Sequence, residues 1–294
     1  MKRVKAGVLE IGYFEAGPQD GPVVMLMHGF PYDAHCFVDV MEQLAARGIR
    51  SIAPFLRGFG PTRFLSESTP RSGQQAALGA DLLALMDALS IERATLAGFD
   101  WGGRAACIVA ALWPERVTGL VSCGVGYNIQ NIARANDPMP AEEHGRYWYI
   151  YLFHTEAGRA SLAHDLHGFC KYIWSRWSPR WAFDAATYDQ TAASFENPDF
   201  VEIVIHSYRH RFGGVAGDPA VACIEGQLAH QPEIKVPTVI VQGEDDEVDP
   251  PSDNPVWQAK FTAGYDLKVL GRVGHNPPQE NPDAFAAAVL QMCA

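Results

Sequence analysis

Apolar residues in this chain follow two rhythms. Val23–Met27 (VVMLM), residues 49–54, Ala94–Gly98 and Val117–Cys123 are short apolar runs, the pattern of strands buried on both faces. Between them, residues 37–46, 78–89 and 104–112 carry apolar side chains at helical spacing, with Leu82, Leu83, Met86 and Leu89 on one stripe. Turn chemistry punctuates the pattern: Gly17, Pro18, Gly21 and Pro22 precede the first run, Gly48 stops the first helix, and Pro114 stops the third. Strands alternating with helices predict parallel strands joined by crossover connections.

The rhythm breaks near Asn128. Residues 129–217 hold Tyr147, Trp148, Tyr149, Tyr151, Phe153 and several more aromatic residues, but no strand-like run. Leu162, Leu166, Phe169, Ile173, Trp174, Trp177 and Trp181 recur at steps of three and four, which predicts packed helices. After Gly217 and Pro219 the alternation returns, with strands at 236–241 and 267–270 and a closing helix over Pro282–Met292. The expectation is an α/β core of residues 1–128 and 218–294, interrupted by a helical insertion over 129–217. Ligands of open α/β sheets bind beyond the carboxyl ends of the strands, so the insertion would lie over the site as a lid.

Composition narrows the partners. The 294 residues carry a formal net charge of −11, which disfavours nucleic acid and anionic membrane surfaces. No apolar run approaches the roughly 18–20 residues that span a bilayer. Near the start, Glu10 and Glu15 interrupt what a secretory signal would need as its apolar core. Six cysteines (Cys36, Cys107, Cys123, Cys170, Cys223 and Cys293) are scattered without a C-x-x-C pair, as suits reduced thiols. A cytoplasmic protein acting on a small molecule is expected, with a homodimer left open.

The strongest chemical signal is Gly98-Phe99-Asp100-Trp101-Gly102, between an expected strand and an expected helix. Small residues two before and two after a central residue permit a sharp strand-to-helix turn that exposes the central side chain. The pentapeptide equally fits Asp100 as a helix cap. As a nucleophile, a carboxylate is ionised at neutral pH and can displace a leaving group from saturated carbon. The resulting ester must then be hydrolysed, which needs a general base and donors for an oxyanion. His275, in Gly274-His275-Asn276, supplies a candidate base, and Gly243-Glu244-Asp245-Asp246 supplies candidate acids to orient it. His28-Gly29-Phe30-Pro31 follows the first apolar run, where its turn can aim the Phe30 N–H into the site beside that of Trp101.

In that order, these segments resemble the α/β-hydrolase superfamily, and within it the epoxide hydrolases, with haloalkane and haloacetate dehalogenases next. The resemblance runs from HGFP through APFLRGFG (53–60) and GFDWGG (98–103) to VGHNPPQENP (273–282). It implies Asp100 as nucleophile, His275 as base, Asp246 as its acid partner through the Gly-x-x-Asp-x-x-x-Pro pattern of Gly243, Asp246 and Pro250, and an oxyanion hole from the Phe30 and Trp101 backbones. Phe55 departs from the polar residue usual before Leu-Arg-Gly, and is read as a packing variation.

The resemblance also implies two tyrosines over the nucleophile that protonate the epoxide oxygen. Tyr208, preceding Arg209, fits the second; Tyr149, directly after Trp148, fits the first, with Tyr151 in reserve. His28, Pro31, Trp148 and Tyr151 are expected on the substrate pocket wall. A halide would need no proton, only donors such as the Trp101 N–H. Haloacetate dehalogenases follow the nucleophile with Arg, where this chain has Trp101, although Arg104 could still meet an anion. A ligand-binding homologue without catalysis is the non-enzyme alternative. The pairs His206/His210 and His164/His167 have helical spacing but no full ligand set, and no Gly-x-Gly-x-x-Gly or P-loop is present, so neither metal nor nucleotide cofactor is expected.

Overall fold

The computed structural model describes residues 1–293. Its strands are β1 (Lys2–Ala6), β2 (Leu9–Ala16), β3 (Val23–Met27), β4 (Arg50–Pro54), β5 (Arg63–Phe64), β6 (Ala94–Gly98), β7 (Val117–Cys123), β8 (Thr238–Gly243) and β9 (Tyr265–Leu270). Among the described residues they form one sheet in the order β1-β2-β4-β3-β6-β7-β8-β9, with β5 paired to β2. From β4 across to β9 the strands are parallel; β2 pairs antiparallel with β1, β4 and β5. That antiparallel edge was not anticipated. β1 carries Lys2, Arg3 and Lys5 in an alternating, mostly exposed strand, so it lacks the unbroken apolar run that marks the central strands. All five residues of β6 are buried, as expected of a strand covered on both faces.

Helices α1 (Val38–Ala45), α2 (Gln75–Ala88) and α3 (Asp100–Leu112) cross between the first strands. α3 starts four residues earlier than its periodicity indicates, at Asp100 itself. Glycines at 102 and 103 blur the pattern there without preventing a helix anchored by the adjoining strand.

Of the α-helices between β7 and β8, six fall within residues 129–217: α4 (Ala141–Arg146), α5 (Trp148–Phe153), α6 (Glu156–His164), α7 (Leu166–Trp177), α8 (Ala185–Ala192) and α9 (Phe200–Arg211). Residues 129–217 contain no strand. Thr155, Asp165 and Asp184 cap α6, α7 and α8 by accepting from Gly158, Gly168 and Thr187 N–H groups, each worth about 1 kcal/mol. Buried polar contacts pin these helices to the loop after β3. Trp174 Nε1 donates to the Pro31 carbonyl at 2.7 Å, and the buried Asp33 carboxylate accepts from Thr191 and Ser194. The chain closes with α10 (Ala222–Leu228), α11 (Pro255–Gln258), α12 (Pro277–Glu280) and α13 (Pro282–Met292).

Phe55 is buried against Phe14 and His35, at centroid separations of 5.3 and 5.7 Å, so packing accounts for it. No disulfide joins the six cysteines. Among the described residues no helix is long and apolar enough to cross a membrane.

Candidate active site

The carboxyl ends of strands β3, β6, β8 and β9 bring together segments far apart in sequence. Asp100 follows β6 and has φ +49°, a conformation that L-residues rarely adopt, at the turn into α3. The turn is possible because its neighbours lack side chains. A Cβ on Gly102 would lie 2.0 Å from the Met27 carbonyl oxygen, and one on Gly29 would lie 2.4 Å from Asp100 Cβ. Phe30 N–H, after β3, donates to Asp100 Oδ1 at 2.8 Å. Trp101 stands in the first turn of α3, where backbone N–H groups have no partner within the helix.

Beyond β9, His275 turns its Nε2 toward Asp100, 3.7 Å from Oδ2 and without a protein hydrogen bond. Its Nδ1 pairs with Asp246 Oδ2 at 2.9 Å, while Asp246 Oδ1 accepts from the Val248 and Asp249 N–H groups. Of the three acids after Gly243, only Asp246 meets the imidazole. Glu244 is exposed at the Arg272 backbone, and Asp245 lies 2.9 Å from Arg180 Nε. Burial by itself would lower the His275 pKa. The Asp246 and Asp100 carboxylates overcome it and hold the imidazole well above its ordinary value. Burial likewise pushes Asp100 up, but the nearby His275 imidazole, then the Arg104 and Arg211 charges, bring it below the usual carboxylate value. The charges of the two carboxylates thus favour the imidazolium form of His275.

Glu280 is a residue that the sequence reading missed. One oxygen accepts from Ser178 Oγ and Asn276 N–H, the other from Gly274 N–H, and Ser178 Oγ in turn accepts from His275 N–H. The four-residue spacing from Asn276 to Glu280 was the available signal, since it lets a carboxylate at the end of a short helix fold back on the preceding loop. Glu280→Ala strips these partly buried donors of their acceptor and is expected to cost about 3 kcal/mol of unfolding free energy. Denaturant titration reads this, and a loss under about 0.5 kcal/mol would remove the anchoring role.

Asp100 opens on a cavity of about 290 Å³ whose wall includes Tyr149, Arg104, Asn131, Arg211 and Asp249. Tyr208, on α9, is fully buried, its hydroxyl has no partner, and its ring meets that of Tyr149 edge-on at 5.3 Å. Burial raises both phenols far above the ordinary tyrosine value, so both stay protonated; for Tyr208 the Arg211 charge opposes that rise.

The four residues expected on the pocket wall are placed elsewhere. His28 is buried, with Nδ1 at the Gly29 carbonyl (3.1 Å) and Nε2 accepting from Leu56 N–H (3.0 Å). Burial pushes its pKa down to about 4, so it is a neutral staple between two loops. Pro31 spends its carbonyl on Trp174. Trp148 packs outward between Phe169 and Tyr172. Tyr151 is 38% exposed and bonds His144 at 2.6 Å, so it does not share the cavity with Tyr149.

His206 has both ring nitrogens at backbone groups, those of Gly73 and Ala216. Among the described residues no three metal-ligating side chains gather. A larger cavity of about 600 Å³ lies beside α2 and α10, but its Gln74, Gln75 and Glu225 bond one another and it holds no Asp100-like nucleophile. The smaller cavity, where Asp100 and Tyr149 meet, is the candidate site.

The model of the α/β hydrolase fold family matches residues 22–282. The chain belongs to that family. Within it the protein is epoxide hydrolase-like. A protein of Klebsiella pneumoniae subsp. pneumoniae, provisionally described as an epoxide hydrolase, is 46% identical, with a TM-score of 0.96 over 99% of this chain and 96% of that one. Epoxide hydrolase 3 of Siraitia grosvenorii is 37% identical over 38% of this chain and 35% of its own length. Epoxide hydrolase B of Mycobacterium tuberculosis is 28% identical over 51% and 45%. The matched segments thus span less than half the length of these curated relatives.

Proposed function

We propose that this α/β hydrolase converts an epoxide to a vicinal diol through an ester of Asp100. The observation that carries the reading is the Tyr208 hydroxyl, buried, protonated and unpartnered, with Tyr149 facing it and Asp100 within electrostatic reach. Opening an epoxide leaves a pair of electrons on oxygen that must take a proton, and a buried phenol is a fitting donor.

Asp100 Oδ1 rests on the Phe30 N–H, which leaves Oδ2 for attack on a ring carbon. The carbon–oxygen bond breaks as Tyr208 or Tyr149 protonates the departing oxygen. Oδ1 becomes the ester carbonyl, already placed on its oxyanion donor, with the Trp101 amide as the second. Once Asp100 is esterified, the imidazolium passes its proton to the tyrosinate; water in the gap between His275 Nε2 and Asp100 then attacks the ester carbon as the now neutral imidazole takes a proton from it. The diol leaves with the Asp100 carboxylate regenerated, and the water proton stays on His275, as at the start. The inserted helices, carrying both phenols, serve as the cap that keeps bulk water out.

A second reading, carbon–halogen cleavage by the same carboxylate, is favoured by Trp101 Nε1, a buried donor without a partner that suits a halide. Styrene-type and aliphatic epoxides, haloalkanes and haloacetates assayed for both diol and halide decide between them. Diol from epoxides supports the proposal; halide release without diol rejects it. Tyr208→Phe is expected to lower kcat for diol formation about 100-fold and Tyr149→Phe about 10-fold or more. Tyr151→Phe is expected to stay near wild type. A Tyr151 effect equal to that of Tyr149 would undo the assignment of the first tyrosine.

A further inference from the structure

We propose that the substrate carries a carboxylate, gripped by Arg211 with Arg104 at the wall of the cavity that Asp100 opens on. The inference rests on the epoxide reading and names its substrate class: a compact epoxide with an anionic group a few bonds from the ring.

Arg211 ends α9, three residues after Tyr208, so the two side chains project from the same side of the helix. Its guanidinium carbon sits 4.5 Å from the centre of the Tyr208 ring, yet its Nε and Nη2 are buried without a hydrogen-bond partner. Two other buried or half-buried arginines, Arg57 and Arg209, are satisfied. Arg57 forks onto Asp81 at 2.6 and 2.7 Å and adds the Ser72 carbonyl. Arg209, two residues before Arg211, reaches the Phe153 and Thr155 carbonyls and Glu156. Unmade bonds to a buried cation are costly, and a planar fork of donors facing a cavity matches a carboxylate in shape and charge.

Arg104 lines the same cavity, spending its Nε on the Asn128 carbonyl at 3.2 Å. Burial, and then the neighbouring Arg211 charge, draw it down to about 10, so two cations share this wall. Two carboxyl groups face them. Asp249 forms no ion pair with either arginine, and burial and Asp246 push its pKa up to about 6. Asp100 loses its charge when the ester forms. An anion on the substrate replaces that charge while the covalent intermediate lasts. The volume of about 290 Å³ and the residual negative charge of Asp249 favour a monoanionic carboxylate over a phosphate dianion.

The test compares 4,5-epoxypentanoate with its neutral isostere 4,5-epoxypentanamide. The wild-type protein is expected to prefer the carboxylate by roughly 30-fold in kcat/KM, mostly through KM. Arg211→Gln should reduce that preference to about 3-fold or less, and Arg211→Lys should keep part of it. Equal turnover of the two compounds by wild type, or an unchanged preference in Arg211→Gln, overturns the inference while leaving epoxide hydrolysis standing. Propionate provides a readout that needs no turnover: it should raise the Tm of wild type and raise it less in Arg211→Gln. A propionate effect with no diol from either epoxide sinks the epoxide reading but upholds the carboxylate grip, and halide release from chloroacetate would then name the chemistry.

Discussion

Asp100→Asn is expected to form no measurable diol, with kcat down by about four orders of magnitude or more. An amide has the shape of the carboxylate and can still accept from the Phe30 N–H through its oxygen, so the turn after β6 should survive. What it lacks is the ionised oxygen that attacks carbon. It also removes one of the two negative charges that hold His275 protonated. Asp100→Ala guards against slow hydrolysis of the new amide back to Asp. Single turnover in heavy-oxygen water adds an atom-level check on wild type. The first diol should take its new oxygen from Asp100 and carry no label, and the label should enter the protein carboxylate. First-turnover diol bearing solvent oxygen would mean direct attack by water, and Asp100 would lose its role as nucleophile.

His275→Gln is expected to separate the two half-reactions. Attack by Oδ2 needs no base, so about one substrate per protein should react and then stop. The protein mass should rise by that of the substrate, and ester hydrolysis should slow about 10²- to 10⁴-fold. The pH dependence follows from the charges. In the resting site two carboxylates raise the imidazole pKa. Ester formation erases the Asp100 charge, so the pKa falls and the ring becomes a base when one is required. Ester hydrolysis in wild type should therefore rise with pH until the imidazole of the intermediate is neutral. Ester formation should stay level through the neutral range, because Asp100 is held ionised and both phenols protonated. Rapid-quench measurement of both steps tests this, and ester hydrolysis independent of pH would rule out His275 as the base.

Much of the frame was legible in the sequence because strands buried on both faces leave continuous apolar runs. β3, β6 and β7 begin and end where those runs do. The segments holding Asp100 and Asp246 were legible because each follows such a strand; His275 follows the half-exposed β9 and was legible from its Gly-His-Asn segment. The antiparallel edge was not, since half-exposed strands with charged residues look like loop. Nor was Glu280, whose significance lies in three loop donors folding around it.

By itself the sequence determined the alternation of strands and helices, the sharp turn at Asp100 and the helical nature of the insertion, because these follow from local sterics and short-range periodicity. Tertiary structure decided the rest. Tyr149 and Tyr151 are two residues apart on α5, hence on nearly opposite sides of a helix, and only packing settles which side meets Tyr208. His28 reads as a pocket residue until Leu56, 28 positions away, occupies its free nitrogen. Arg211 is one arginine among many in the sequence. It stands out only where the folded chain buries its donors and offers them no acceptor.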